Sequence, residues 1–316
     1  MKSQLITIRL LALILLGMLP QTLRSEESLF PHCDRREDVV YGRKYGTALT
    51  LDVFAPKAKA NGIGVIFVVS GGWSSRHDDI SQYARPFIDQ LAERGFTVFA
   101  VVHGSRPRYS IPEMIRDLER SVRYIRHHSD QFDIDRDRIG VCGASAGGHL
   151  SLMMGTDAKP GRPDAEDTVE RESSQIQAVA CLFPPTDFLN YGSPGENALG
   201  KGKLQDFHSV FEFRETLDRG RTIISITDPA KILEIGRDIS PVNHVSSGDP
   251  PTLIIHGDKD SIVPIQQSES IISKFESTNV PCRLVVRQGE DHGWKDYSPD
   301  IREFADWFDT HLKATK

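Results

Sequence analysis

Cysteine is scarce in this chain. Four residues in 316, Cys33, Cys142, Cys181 and Cys282, are too few for a disulfide scaffold. No C-x-x-C pair is present to make a redox or zinc site. Cys142 and Cys181 sit in apolar runs, where a buried free thiol is the default state. Spacing does not choose among the pairings that four cysteines would allow. A basic block is also missing. Lysine plus arginine number 38 against 44 aspartates plus glutamates, a formal charge of −6, which argues against a nucleic-acid partner. Internal repeats and low-complexity tracts are absent. With 39% hydrophobic and 26% charged residues, the composition is that of an ordinary globular protein.

The N-terminal apolar run, Leu10–Leu19 with Gly17 inside it, is shorter than the roughly 20 residues a bilayer span requires. It follows Lys2 and Arg9 and stops at Pro20. This suits the apolar region of a secretory signal over residues 1–25, with cleavage near Ser25–Glu27. An uncleaved anchor or a ragged first helix is the alternative. The signal reading implies a secreted or periplasmic protein with no stable membrane span after processing.

From about residue 49 onward, strand-like and helix-like segments alternate. Leu49–Phe54 alternates apolar and polar residues, as a half-buried strand does. Gly64–Val69 is almost wholly apolar, as a central strand covered on both faces would be. A helix is expected over Gln82–Arg94, a strand over Thr97–Val102, and a helix opened by Pro112. Ile115, Leu118, Val122 and Ile125 give that helix one apolar face. Strands follow at Arg138–Cys142, Gln177–Phe183, Thr252–His256 and Arg283–Val286, with helices at Ala146–Met154 and Pro299 to about Leu312. This order predicts an α/β fold, a mostly parallel sheet with helices on both faces. Asp157–Ser174 reads as an exposed excursion. Tyr191–Val245, with Phe207, Phe211, Phe213, Ile223, Ile224 and Ile226, reads as an inserted cap. Residues 26–316 are therefore expected to form a single domain with a cap at about 191–245.

The sharpest motif is Gly143-Ala144-Ser145-Ala146-Gly147-Gly148-His149. It follows a short strand and opens a helix, the setting of a nucleophile elbow. There a serine sits on a strained turn, and small neighbours let strand and helix approach. A glycine-rich phosphate loop is the other reading, but no Gly-Lys-Ser/Thr follows. A serine nucleophile needs a base, and the base needs an orienting carboxylate, in the chain order serine, acid, histidine. His256-Gly257-Asp258-Lys259-Asp260-Ser261-Ile262-Val263-Pro264 and Gly289-Glu290-Asp291-His292-Gly293-Trp294 both lie at strand C-terminal ends, where sites of parallel sheets gather. Of eleven histidines, His292 alone combines the right order with an adjacent permissive glycine. His256 suits a buttress of the acid loop, and His149 a structural role. Asp258, Asp260 and Asp187 remain open as the acid. Ala146, Gly71 and Gly72 are candidates for the backbone donors of an oxyanion hole. Trp73, Asp187 and Trp294 are candidates for the substrate pocket.

These residues resemble the α/β-hydrolase superfamily over roughly residues 37–313, and within it the secreted esterase/lipase group that includes feruloyl and acetyl-xylan esterase-like proteins. The elbow is the esterase form of the motif. The resemblance of the acid loop implies Asp260, which precedes Ser261-Ile262-Val263-Pro264, as the catalytic carboxylate. Asp291-His292-Gly293-Trp294 is similar to the family's histidine loop, and Asp133–Ile139 to its approach to the elbow. Many relatives carry His-Gly-Gly-Gly-Trp at the oxyanion loop. Here the stretch is Val69-Ser70-Gly71-Gly72-Trp73, so the family histidine and first glycine are replaced. The resemblance implies hydrolysis of a small-molecule or carbohydrate ester by Ser145, His292 and Asp260, without metal or organic cofactor. A serine peptidase of the prolyl-oligopeptidase type is the enzyme alternative. The elbow lacks the aromatic usual there, and the chain has no room for a large propeller. A non-catalytic binding protein on the same scaffold is the third reading, against which the complete serine–acid–histidine order argues.

Overall fold

Alternation along the central strands splits one sheet into two cores. In β3 (Gly64–Val69), Val65, Phe67 and Val69 point to one face while Ile66 and Val68 point to the other, as the two-residue period of a strand requires. The computed structural model describes residues 30–81, 85–217 and 222–313. The residues read as a signal, 1–25, lie outside that range. Eight strands form the main sheet: β1 (Cys33–Lys44), β2 (Thr47–Pro56), β3, β4 (Thr97–Val102), β5 (Ile139–Ala144), β6 (Ala178–Leu182), β9 (Thr252–Gly257) and β10 (Cys282–Arg287). Their spatial order is β1-β2-β4-β3-β5-β6-β9-β10. The β1–β2 and β2–β4 pairs are antiparallel, and every other pair in this sheet is parallel.

Helices α1 (Arg85–Glu93) and α6 (Ser298–His311) cover the face bearing Phe67 and Val69. Their Phe87, Ile88, Leu91, Phe304 and Phe308 are buried there. Helices α2 (Ile111–His127), α3 (Ala146–Thr156) and α5 (Gln266–Ser277) cover the other face. Each such fully buried aliphatic or aromatic side chain contributes about 1.5–3 kcal/mol relative to exposure, so both faces are strongly specified. On α2, Ile115, Leu118, Val122 and Ile125 all lie in the core, as their spacing predicts. Ser110 N–H donates to the Glu113 carboxylate at 2.9 Å, closing the start of that helix.

Some elements were not visible in the sequence pattern. β1 is a charged edge strand that turns only Cys33, Val39 and Tyr41 fully inward. Helix α5 buries Gln267 and Ser268 beside its few apolar residues, which blurs its periodicity. The long connection between β6 and β9 holds a hairpin of β7 (Arg214–Leu217) with β8 (Thr222–Ser225), then α4 (Pro229–Asp238). Its apolar residues do not act together. Phe211 and Phe213 are buried, whereas Ile223 is 56% and Ile224 47% exposed. Asp157–Ser174 is an excursion fastened by charge, with Arg120 of α2 bridging to Asp167 at 2.7 Å and Glu170 at 2.8 Å. All four cysteines are free thiols. No helix among the described residues is long and apolar enough to cross a membrane.

Candidate active site

β5 passes straight into Ser145, which adopts φ 53° and ψ −119°, a conformation that costs a non-glycine residue of order 1–3 kcal/mol. Close packing holds it there. A Cβ added at Gly143 would lie 2.6 Å from the Gly147 carbonyl, and one at Gly147 would lie 2.8 Å from the Val68 carbonyl oxygen. The backbone of α3 can therefore reach β3 and β5 only because these two positions lack side chains. Ser145 N–H donates to Leu182 O at 2.9 Å, tying the elbow to β6.

Three loops at the C-terminal ends of β5, β9 and β10 meet at this serine. His292 Nε2 lies 2.9 Å from Ser145 Oγ, and His292 Nδ1 lies 2.7 Å from Asp260 Oδ2. An ionised carboxylate only accepts, so Nδ1 carries the proton and Nε2 is left to accept from the serine hydroxyl. Asp260 Oδ1 accepts from the N–H groups of Ile262 at 2.9 Å and Val263 at 2.8 Å. Its Oδ2 also faces His256 Nε2 at 3.2 Å. Burial works to raise the Asp260 pKa, but the hydrogen bonds from His256, His292 and Val263 outweigh it. The carboxyl is held well below the usual range. Asp258 points elsewhere and accepts from Gly289 N–H at 2.6 Å. Asp291 joins the acid and histidine loops, accepting from Ser261 N–H at 2.8 Å and His292 N–H at 2.7 Å. His256 buttresses Asp260 from below, with its Nδ1 2.6 Å from Ser268 Oγ.

The loop after β3 makes a two-residue turn. Gly71 and Ser74 exchange N–H···O bonds of 2.9 Å in both directions, and the residues between them, Gly72 and Trp73, have φ of 52° and 59°. Two successive positive φ values match the tight hairpin turn of this hand. Gly72 also faces the Phe207 ring, where an added Cβ would come within 2.4 Å. Of the oxyanion candidates, Gly71 has its N–H engaged by Ser74. Ala146, at the first position of α3, has no helical carbonyl to bond to. Gly71 lines the cavity that holds Ser145, while the N–H groups of Gly72 and Ala146 take no part in that exchange.

Ser145 and His292 open onto a cavity of about 460 Å³. Its walls include Phe67, Val69, Phe87, Phe183 and Tyr297, with Ser70, Arg76 and Asp79 as polar members. Arg76 pairs with Asp79 at 3.0 Å. The three pocket candidates lie outside this lining. Trp73 is 2% exposed and buried among Phe188, Phe207 and Phe211. Its positive φ swings the indole into the core. Asp187 caps the following turn by accepting from Leu189 N–H and Asn190 N–H, and lines a separate groove beside α5. Trp294 donates to Asp300 at 2.8 Å and backs the wall through Phe183 and Tyr297. Of the wall residues, Phe67 and Val69 lie in the expected strand Gly64–Val69, whereas Arg76, Asp79, Phe87 and Tyr297 carry no sequence motif. Phe183 directly follows β6, at the C-terminal end of a strand, which is a position that could have marked it.

The BD-FAE family model matches residues 51–275, a stretch that holds Ser145 and Asp260 and ends before His292. Over 215 residues the chain is 28% identical to the esterase LipC of Mycobacterium tuberculosis, covering 68% of this chain and 48% of that protein. It is 25% identical over 206 residues to the esterase LipQ of the same organism, covering 65% and 44%. The chain spans about half the length of the curated relatives it matches. Among solved structures, a truncated carbohydrate esterase from gut microbiota superposes with a TM-score of 0.71 at 22% identity, over 90% of this chain and 98% of that one. An acetyl ester-xyloside bifunctional hydrolase from Caldicellulosiruptor lactoaceticus gives 0.67 at 21%, over 86% and 95%. The fold is that of the α/β-hydrolases.

Proposed function

The chain belongs to the BD-FAE family, and from that premise we propose that it is a serine carboxylic-ester hydrolase working through an acyl-enzyme. The relay from Asp260 through His292 to Ser145, with contacts of 2.7 and 2.9 Å, carries the reading. In this mechanism His292 Nε2 takes the hydroxyl proton as Ser145 Oγ attacks the ester carbonyl. Asp260 fixes the tautomer and stabilises the imidazolium. The N–H groups of Ala146 and Gly72 hold the tetrahedral oxyanion. His292 then protonates the departing alcohol. A water, deprotonated by the same nitrogen, releases the acid and restores Ser145.

The acyl group occupies the aromatic cavity beside Ser145. An acetylated or feruloylated carbohydrate is the substrate we propose, supported by the carbohydrate-ester activities named for two structural neighbours and by the apolar walls. Residues 26–316 act as one domain in this view, with about 191–245 as a cap and 1–25 as an export signal that delivers a secreted or periplasmic enzyme. The test is Ser145→Ala assayed on p-nitrophenyl acetate and on acetylated and feruloylated sugars. Turnover should fall at least about 10⁴-fold with near-UV circular dichroism unchanged. Wild-type turnover in this variant would end the assignment.

A further inference from the structure

His149 lies four residues beyond Ser145, is fully buried, and makes no contact with the reacting atoms. Its Nδ1 lies 3.2 Å from Trp73 Nε1, and its Nε2 lies 2.7 Å from the carbonyl oxygen of Ile239. Each partner can act in only one sense. An indole N–H donates and a carbonyl accepts, so His149 carries its proton on Nε2 and presents a bare Nδ1 to the indole. One neutral ring thereby joins three parts of the site. They are the turn that bears Gly72, the helix that begins after Ser145, and the residue that closes α4 in the long connection.

The turn needs such a brace. Trp73 is a bulky residue at φ 59°, a conformation that persists only where the surroundings over-determine it. Two devices do so. The rings of Phe188, Phe207 and Phe211 surround the indole, with centroids 5.7–5.9 Å away, and His149 fixes its direction through the hydrogen bond. We propose that His149 is a positioning residue for the proposed hydrolysis, holding the Gly71–Ser74 turn, and with it the Gly72 donor, in register over Ser145 through the Trp73 indole. Ile239 O sets the ring from the other side, so the end of α4 and the oxyanion turn are ordered together.

This rests on the ester-hydrolase reading, and its test separates the two. Three variants are made in the full chain: His149→Phe, which removes both bonds; His149→Asn, whose side-chain oxygen can replace Nδ1 as acceptor; and Trp73→Phe, which removes only the donor. His149→Phe and Trp73→Phe should each lower kcat on p-nitrophenyl acetate about 10-fold or more, the scale of a misplaced oxyanion donor, with KM within about threefold. The double variant should be no worse than the poorer single, because both break one bond. His149→Asn should recover most of the loss. The chain has three tryptophans, so the Trp73 indole resonance can be assigned by its disappearance in Trp73→Phe. It should move upfield in His149→Phe and stay near its wild-type position in His149→Asn.

Wild-type kcat in Trp73→Phe, additive losses in the double variant, or an unmoved indole resonance in His149→Phe would overturn the proposal. Should His149→Phe not fold, Trp73→Phe and His149→Asn still decide it. A wild-type protein inactive on every ester would overturn the hydrolase reading instead. The indole shift would then judge the brace alone.

Discussion

Replacing Asp260 with asparagine exchanges one carboxylate oxygen for an NH₂ group, and the amide cannot satisfy both sides of the residue at once. The carboxylate accepts from Ile262 N–H and Val263 N–H on one oxygen, and meets His292 and His256 on the other. If the new amide turns its oxygen to the two backbone donors, its NH₂ meets His292 Nδ1. That ring must then shift its proton to Nε2, where it can no longer accept from Ser145. If the amide turns the other way, its NH₂ collides with two N–H donors. Either orientation leaves buried donors unmatched, at a cost of about 1–3 kcal/mol in stability. The tautomer error should lower kcat by about 10³–10⁴-fold, or roughly 4–5.5 kcal/mol in the barrier. The assay is steady-state hydrolysis of p-nitrophenyl acetate at pH 7, with Asp258→Asn beside it. Asp258 serves Gly289 N–H, an acceptor role asparagine can keep, so that variant should stay within about threefold of wild type. The stability profile gives a second readout. The Asp260 pKa is depressed in the folded state, so its contribution is complete above the unfolded value of about 4 and is lost as pH falls below it. Asp260→Asn should therefore flatten the acid limb of the melting profile. Activity within tenfold of wild type in Asp260→Asn, or an equal loss in Asp258→Asn, would rule out Asp260 as the carboxylate that orients His292.

Gly147→Ala places a methyl 2.8 Å from the Val68 carbonyl oxygen. It should cost about 1–3 kcal/mol in a denaturant melt and lower kcat by displacing the elbow. Burial pushes His149 and His103 down to about 4. Between about pH 6.5 and 4 the unfolded chain binds protons there that the folded chain does not, so stability should fall as the pH drops, by up to about 1.4 kcal/mol per pH unit for each ring. Calorimetry across that range tests it, and His149→Phe should remove its share of the slope. Burial pushes the Cys33 thiol up to about 12 and raises Cys142 and Cys181 as well. A thiol reagent at pH 8 should therefore modify half-buried Cys282 first and reach the other three only after unfolding.

The local parts of this protein were legible in its sequence because they rest on local physics. Gly143, Ser145 and Gly147 declare a strained turn between a strand and a helix, since only small residues allow that approach. The period of three and four in α2 and the apolar runs of β3 and β9 assign those elements directly. The resemblance of the acid loop implied Asp260; in the structure that carboxylate accepts from the Ile262 and Val263 N–H groups and lies 2.7 Å from His292 Nδ1. Elements stabilised by distant partners were not legible. β1 is a charged ribbon that becomes a strand by pairing with β2, and Ile223 and Ile224 lie exposed although their side chains favour burial. The pocket shows the division most clearly. Trp73 stands directly after Gly71 and Gly72 in sequence, yet with a positive φ its indole lies against His149 and outside the cavity lining. Phe87 and Tyr297, remote in sequence, line it instead. Which groups exist to do chemistry, and the order in which they come, can be read along the chain. Which of them share a cavity was decided only by the tertiary structure, because backbone dihedrals and packing at a few turns set where each side chain points.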